Sequence, residues 1–289
     1  MNETFLKLYG DSTYKDNRRC DSVIDRFAEE SLMQLYYTTS VTKVIKGMIA
    51  GFFISFGCIA MITIQAYSDL SPIVNKILSG LVFSIGLFMV VNIPSHLFTG
   101  NCLLYIFYYD LDARKPIFPR YSEGWKPFVN RTKKEIPRFL LSSYLYNILG
   151  IAIVALIFYL VSPKINIDAA TAIAMNKCSK GYLNLFLDGI MCNILVCTAV
   201  WFSRSRTSVT DSFIAVCIPV TIFIVCGFEH SIADVFFWIF ANSAEVSIFE
   251  LLMKLLTISF GNLFGGMLIS YIIFKSRDYM YNGDDHVEF

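Results

Sequence analysis

The stretch CGFEHSIADVFF, residues 226–237, places Glu229, His230 and Asp234 inside a long apolar run. An ionisable group at the centre of a bilayer is costly, and it usually faces the interior of a helix bundle or a pathway for ions. The three side chains therefore indicate a polar site within an apolar, helical protein. The rest of the sequence decides what kind of protein this is.

The composition is that of an integral membrane protein. The 289 residues are 55% hydrophobic and only 16% charged, which is too apolar for an ordinary soluble domain of this length. A spanning helix needs about 20 apolar residues, so we predict an all-α membrane protein with six transmembrane helices. The apolar runs cover approximately 47–68, 77–109, 139–163, 181–203, 212–241 and 255–274.

Basic residues decide the expected orientation. The connection 110–138 holds Arg114, Lys115, Arg120, Lys126, Arg131, Lys133, Lys134 and Arg138, and by the positive-inside rule it is cytoplasmic. A polar leader, residues 1–42, and a tail, residues 276–289, then fall on the same side. We expect both termini in the cytoplasm, the plasma membrane as location, no cleaved signal peptide and no glycosylation at Asn2 or Asn130.

The eight cysteines form no C-x-x-C pair, and most of them lie in predicted spans. We interpret them as small apolar helix residues rather than as metal ligands or disulfide partners. Neither a metal nor another cofactor is expected.

The second and fifth spans are too long to be simple helices. NIPSHLFTGN (92–101) interrupts the second, and CGFEHS (226–231) interrupts the fifth. Proline and glycine weaken a helix, and irregular backbone at membrane depth is tolerated only where protein or a polar cavity covers it. Broken helices at matching places in two halves point to a transport site. Alternatively, Pro94 and Gly227 merely kink two lipid-facing helices.

The two halves also match in spacing. FTGN and FEHS lie about 130 residues apart, as do the starts of the first and fourth spans. Because each half contributes three spans, the second half must be inserted upside down relative to the first. We therefore predict an inverted 3+3 repeat, residues 43–161 and 180–275, within a single domain of residues 43–275. Its two broken loops would meet near the middle of the membrane.

Four motifs resemble those of the formate/nitrite transporter family, in family order and on the expected spans: LFTGN (97–101), CNILVCTAVW (192–201), GFEHSIAD (227–234) and GNLFGG (261–266). The resemblance covers the whole transmembrane part. It implies an aquaporin-like fold assembled as a homopentamer. Each protomer would then have its own pore for small monovalent anions or their conjugate acids.

The resemblance also implies roles for individual residues. The central pore would contain His230, Thr99 and Glu229, and the two vestibules would contain Lys46 and Lys177. Hydrophobic constrictions fall on Phe83, Val196 and Phe223 on the outer side, and on Leu87, Val90, Leu97 and Phe98 towards the inner side. Support for the broken loops falls on Asn101, Asn193 and Asn262. Without the resemblance, a lysine such as Lys46 could simply anchor a helix end, and the apolar positions could simply be packing.

Two positions depart from the family pattern. His96 stands where an acidic residue usually precedes LFTGN, and Asp234 stands where asparagine usually follows the histidine by four residues. Each could be satisfied by a neighbouring helix, or could alter the substrate or the response to pH. We predict that Asp234 and His96 pair with each other across the interface between the halves.

Physical chemistry favours passage of a neutral acid. Moving a bare anion into an apolar constriction costs up to tens of kcal/mol by idealised estimates, whereas protonating an acid of pKa roughly 3 units below neutrality costs about 4 kcal/mol. Lysines at the mouths would concentrate the anion. His230, whose unperturbed pKa lies near neutrality, could supply or relay the proton, or could act on water that does so.

Other classes of protein fit less well. An aquaporin-like facilitator of neutral solutes shares the inverted repeat, but the sequence has no NPA tripeptide. An enzyme is not expected, because no second histidine pair or nucleophile motif accompanies Glu229 and His230. The expected partners are further copies of the chain, lipid and a small anion or its acid, with no nucleic acid. The sequence leaves formate, nitrite, lactate, acetate and hydrosulfide open as substrates.

Overall fold

A computed structural model describes residues 39–105, 126–204, 208–242 and 244–283, with the backbone alone for 126–133 and 277–283. The regular structure within these ranges is helical: α1 Ser40–Tyr67, α2 Pro72–Asn92, α3 Phe98–Asn101, α4 Lys126–Val161, α5 Lys164–Cys178, α6 Tyr182–Arg204, α7 Val209–Cys226, α8 Ser231–Trp238 and α9 Ile248–Gly283. A short 3-10 helix, Cys102–Tyr105, follows α3. Nearly all of the predicted leader, most of the basic connection and the end of the tail lie outside the described residues, as do Asn2 and the side chain of Asn130.

Six helical segments are long and apolar enough to cross a membrane: Ser40–Tyr67, Pro72–Asn92, Lys134–Val161, Tyr182–Arg204, Val209–Cys226 and Ile248–Ser276. Their outward faces carry large exposed apolar side chains such as Phe52, Leu160 and Phe260, which suit contact with lipid or with another protomer. The prediction of an all-α protein with six membrane spans is confirmed.

Several helices begin at local sequence signals. The hydroxyl of Thr39 accepts the backbone N–H of Thr42 at the start of α1, and Pro72 is the first residue of α2. Before α9, the hydroxyl of Ser247 accepts the backbone N–H of Glu250. These groups satisfy donors that a first helical turn otherwise leaves unpaired, or, in the case of proline, remove one.

The first three spans pack in the same pattern as the last three. α1 packs against α2 and α4, α6 packs against α7 and α9, and α2 packs against α7 between the halves. Glycine permits the close approach of these helices. A Cβ on Gly57 of α1 would lie 2.7 Å from the carbonyl oxygen of Phe83 in α2, and one on Gly189 of α6 would lie 2.8 Å from that of Ile258 in α9.

The chain leaves the helix after both α2 and α7 and then starts a second, short helix. α2 ends at Asn92 and α3 begins at Phe98, while α7 ends at Cys226 and α8 begins at Ser231. Gly227 ends α7 with a φ of 74°, a left-handed conformation that favours glycine. α3 packs on α6 of the second half, and α8 packs on α1 and α4 of the first. Each short helix thus lies against the opposite half.

Helix α5 is absent from the sequence-based prediction, which places no element between the third and fourth spans. It packs against α1 and α8. Its buried residues, Asn166, Ala170, Ile173, Ala174 and Cys178, follow one helical face. That spacing is the signal that could have predicted this helix.

Candidate functional site

His230 joins the second break to the first. Its Nε2 lies 2.9 Å from the hydroxyl oxygen of Thr99 in α3, and its Nδ1 accepts the backbone N–H of Ala233 at the start of α8. Because a donor occupies Nδ1, the proton of the neutral imidazole is on Nε2, which donates to Thr99. Both residues are buried. The two polar groups predicted for the central pore therefore lie in contact where the halves meet.

Aromatic rings line one side of His230. The ring of Phe223 stacks on the imidazole, with centroids 6.2 Å apart, and meets the ring of Phe83 edge to face at 5.7 Å. The other residues predicted for constrictions are also buried: Leu87, Val90, Leu97, Phe98 and Val196. Burial fits a constriction and ordinary packing alike, so their role in gating a pore stays a prediction.

Asn262 of α9 holds the second break in place. Its Nδ2 donates to the carbonyl oxygens of Gly189 at 2.8 Å and Glu229 at 2.9 Å, and its Oδ1 accepts the backbone N–H of Ser231 at 2.8 Å. One side chain therefore satisfies three backbone groups that the interruption of the helix would leave without partners. These contacts support the predicted role of Asn262.

Asn147 of α4 makes the matching bonds in the first half, although the sequence analysis does not predict it. Its Nδ2 donates to the carbonyl oxygens of Gly47 and His96, both at 2.8 Å, and its Oδ1 accepts the backbone N–H of Phe98 at 2.9 Å. The available signal was an amide within the apolar third span, since polar groups at membrane depth are usually retained for a reason. By these contacts, His96 occupies the position in the first half that Glu229 occupies in the second.

The other two asparagines predicted to support the loops have different contacts. Asn193 donates to the carbonyl oxygen of Asn262 at 2.5 Å, so it reaches the second break through the bracing residue. Asn101 has one long contact, 3.5 Å from Nδ2 to the hydroxyl of Ser143. The supporting role assigned to Asn101 therefore has little in the geometry to favour it.

Five charged side chains, Asp188, Lys180, Glu229, Lys177 and Asp234, form a connected group beside the second break, which we name the charge cluster. Lys177 forms ion pairs with Glu229 and, at 2.8 Å, with Oδ1 of Asp234. Lys180 lies 2.7 Å from Oε1 of Glu229 and 2.7 Å from Oδ2 of Asp188. Helix α5 and the turn after it supply both lysines.

Burial strengthens the electrostatic interactions within the charge cluster. The side chains of Glu229 and Asp234 are each 1% exposed, and those of Lys177 and Lys180 are 16% and 27% exposed. Burial by itself lowers the pKa of an ammonium group, but Asp234 and Glu229 raise the pKa of Lys177 well above its usual range. Both lysines are therefore charged at neutral pH. The role of Lys177 as a vestibule residue stays a prediction, because its ammonium is engaged with two carboxyl groups.

The predicted pair between Asp234 and His96 is wrong. Asp234 contacts Lys177 instead, and neither ring nitrogen of the buried His96 has a hydrogen-bond partner among the described residues. The imidazole packs edge to face on Phe139, with centroids 5.0 Å apart. The physical reason is that α5 returns a lysine to the second break, whereas His96 is held by Asn147 at the first.

Lys46 lies at the first break and mirrors Asp188 at the second. The carbonyl oxygen of Lys46 accepts the backbone N–H of His96 at 3.1 Å, and that of Asp188 accepts the backbone N–H of Glu229 at 3.4 Å. The ammonium group of Lys46 has no hydrogen bond or ion pair within the part of the chain that the structure describes. The two halves thus repeat the same backbone contacts with side chains of opposite charge.

The cysteines form no disulfide within the described ranges. The seven that lie in the described ranges are free, and all except Cys226 are buried. Cys20 lies outside those ranges.

The class of protein follows from three features: six apolar spanning segments, two short helices that each pack on the opposite half, and a buried polar centre. Together they define a multi-pass membrane transport protein. The model of the formate/nitrite transporter family matches residues 22–275, and the chain belongs to this family. The match begins within the segment predicted as a leader. Membership confirms the prediction of a transport protein rather than an enzyme.

Individual relatives are distant in sequence but similar over most of their length. The chain is 25% identical over 264 residues to formate channel FocB of Escherichia coli (strain K12). The aligned region covers 82% of this chain and 87% of that protein. It is 31% identical over 196 residues to formate channel FocA of Haemophilus influenzae. That aligned region covers 66% of this chain and 63% of the relative. A solved structure described as a pentameric formate channel with formate bound is 26% identical, with a TM-score of 0.66, over 83% of this chain and 97% of that chain.

Proposed function

We propose that the protein conducts small monovalent anions of the formate or nitrite type, or their conjugate acids, and that passage is linked to protons at His230. The contact between His230 and Thr99, buried where the two broken segments meet, carries this proposal. The names of the relatives support it, since FocA and FocB are formate channels. So does the formate held by the similar solved structure.

The tautomer of His230 limits what the imidazole does. Nδ1 accepts a backbone N–H, so the ring takes up no second proton while α8 keeps its first turn. A neutral imidazole is also a very weak acid, so its Nε2–H serves as a hydrogen-bond donor. Thr99 accepts this bond and can direct its own hydroxyl proton towards an anion. The pair thus polarises the substrate, and the proton that neutralises the anion comes from water or another acid.

We further propose that the chain forms a homopentamer in the plasma membrane, with both termini in the cytoplasm. The solved structure that the chain resembles is described as pentameric. The large apolar side chains exposed on α1, α4 and α9 provide surfaces for neighbouring protomers as well as for lipid. The excess of basic residues in the connection 110–138 supports the orientation.

Formate uptake into proteoliposomes is expected to accelerate as the external pH falls from about 7.5 to 5.5, while His230 itself stays neutral. The physical reason is that each unit by which the pH falls raises the fraction of neutral acid tenfold. The measurement is uptake of labelled formate, corrected at each pH for uptake by liposomes without protein. A flat profile accompanied by electrogenic current would instead establish an anion channel without proton linkage.

Replacing His230 with asparagine is expected to preserve the assembly but to alter or abolish proton-linked uptake. Asparagine is a good N-cap residue, so its amide oxygen can replace Nδ1 as the acceptor for Ala233, whereas the Nε2–H that donates to Thr99 is lost. The matched control is His96→Asn, which makes the same change at a buried histidine whose ring nitrogens have no described partner. An unchanged pH profile in His230→Asn, with the oligomer intact by size-exclusion chromatography, would assign His230 a structural role only.

A further inference from the structure

We infer that Asp234 is a proton-binding site of the transport path: its carboxyl group holds a proton at neutral pH and supplies it to the passing anion. The inference rests on the proposed function and deepens it, because it names the acid that the neutral His230 cannot provide. It also gives a role to a residue that departs from the family pattern, in which asparagine occupies this position.

The charge cluster contains one more acid than base. Asp188, Glu229 and Asp234 contribute three carboxyl groups, and Lys177 and Lys180 contribute two ammonium groups. If all five were ionised, one negative charge would be uncompensated in a place where two of the acids are almost fully buried. Such a charge is strongly destabilising. In water at pH 7, the ionised form of an ordinary aspartate outnumbers the protonated form by a factor of about 1,000. The free-energy cost of an uncompensated buried charge is large enough to reverse that preference.

The contacts of the three acids show which one takes the proton. Both carboxylate oxygens of Glu229 contact a lysine, Oε2 with Lys177 and Oε1 with Lys180. Asp188 contacts Lys180 and is about a quarter exposed, so water also stabilises its charge. Asp234 has a lysine on Oδ1 alone, and its buried Oδ2 has no hydrogen-bond partner among the described residues. Oδ2 of Asp234 is therefore the atom where a proton costs least.

The remaining groups near Asp234 do not supply a compensating charge. Charged neighbours among the described residues are Lys177, on α5, and Glu229, in the break before α8. The other titratable groups that interact electrostatically with Asp234 come from four neighbouring helices and are neutral at pH 7: Cys58, Tyr144, Cys178 and Cys192. The balance between one lysine and two acids thus decides the state of Asp234.

Asp234 is also close to His230 along the chain. It follows His230 by one helical turn, and its backbone N–H donates to the carbonyl oxygen of His230 at 2.9 Å. The imidazole and the carboxyl group are thus attached to the chain within one turn of each other. In the step that we infer, the O–H bond at Asp234 breaks, the anion takes the proton and becomes the neutral acid, and the new carboxylate keeps its contact with Lys177 through Oδ1. A proton from water on the opposite side restores Asp234.

The test replaces Asp234 with asparagine, the residue of the family pattern, which keeps the size of the side chain and an oxygen for Lys177. The matched control is Asp168→Asn, because Asp168 lies on α5 outside the charge cluster and pairs with the exposed Lys164. Two readouts are used on the full chain: the infrared carbonyl-stretch band of a protonated carboxyl group at pH 7, in protein without substrate, and the ratio of formate uptake rates at pH 5.5 and 7.5.

We expect the unaltered protein and Asp168→Asn to show the band, and Asp234→Asn to lose it and to have a severalfold smaller uptake ratio. A missing band in the unaltered protein, or a band that persists in Asp234→Asn, would overturn the inference about the proton. A band that disappears while the uptake ratio is unchanged would overturn its role in transport. Because the infrared readout requires no flux, failure of the protein to transport formate would be recognised separately as failure of the proposed function.

Discussion

Replacing Asn262 with leucine is expected to lower the free energy of unfolding by about 3 kcal/mol or more. The substitution keeps the volume of the side chain but removes its bonds to Gly189, Glu229 and Ser231. Three buried backbone groups then lose their partners, and each unsatisfied group costs about 1–3 kcal/mol. Chemical or thermal unfolding of the purified protein in detergent would measure the loss.

The control for this substitution is Asn166→Leu on α5. Asn166 is also buried, but its side-chain oxygen has no hydrogen-bond partner in the described structure, so leucine should be tolerated there. Asn147→Leu should match Asn262→Leu, because the two asparagines make equivalent bonds. Equal stability of Asn262→Leu and Asn166→Leu would show that the bracing contacts contribute little.

Replacing Lys177 with methionine is expected to cost about 3–5 kcal/mol at neutral pH, the typical effect of removing one partner from a buried ion pair. Without Lys177, the single ammonium group of Lys180 faces the carboxylates of both Glu229 and Asp188, so one buried negative charge is uncompensated. The loss should become smaller as the pH is lowered, because protonation of the carboxyl groups removes the uncompensated charge. Unfolding measured across a pH series would reveal both the size of the loss and its direction with pH.

Two further variants isolate the cause of that loss. Lys177→Met combined with Glu229→Gln should recover most of the lost stability, because an ionised acid is removed together with its base and Lys180 keeps Asp188 as a partner. Lys164→Met removes an equivalent lysine from a pair that is largely exposed and should change stability little. If the double variant is as unstable as Lys177→Met alone, the loss comes from packing of the lysine stem rather than from charge.

The spans and the interruptions could be predicted because each leaves a local trace in the sequence. Runs of apolar residues mark the six helices, and the Pro and Gly near 94 and 227 mark the places where α2 and α7 end. The contact between Thr99 and His230 joins residues 131 positions apart. The matching spacing of the two halves predicted that the loops would meet, and the resemblance to a family then selected these two residues within them.

The ion pair between Asp234 and Lys177 could not be predicted, because the sequence analysis did not include helix α5. Without α5, the position of Lys177 in the fold was unknown, and the sequence analysis therefore paired Asp234 with a residue of the first break. With α5 in place, Lys177 lies against the second break and Asp234 has its pair. Asn147 was missed for a related reason: an amide in an apolar span signals a polar contact but does not specify which backbone groups it bonds.

The bracing asparagines have a mechanical consequence. Asn147 and Asn262 each tie a break to a neighbouring helix of the same half, so bending a break by itself would separate several buried hydrogen bonds. Rotation of Phe83, Phe223 or the hydroxyl of Thr99 leaves all of those bonds intact. Collective motions of helices take microseconds to milliseconds, and the bracing bonds oppose such motions at both breaks. The two breaks are thus held in a stiff frame, within which side chains can change their conformation without separating a bracing bond.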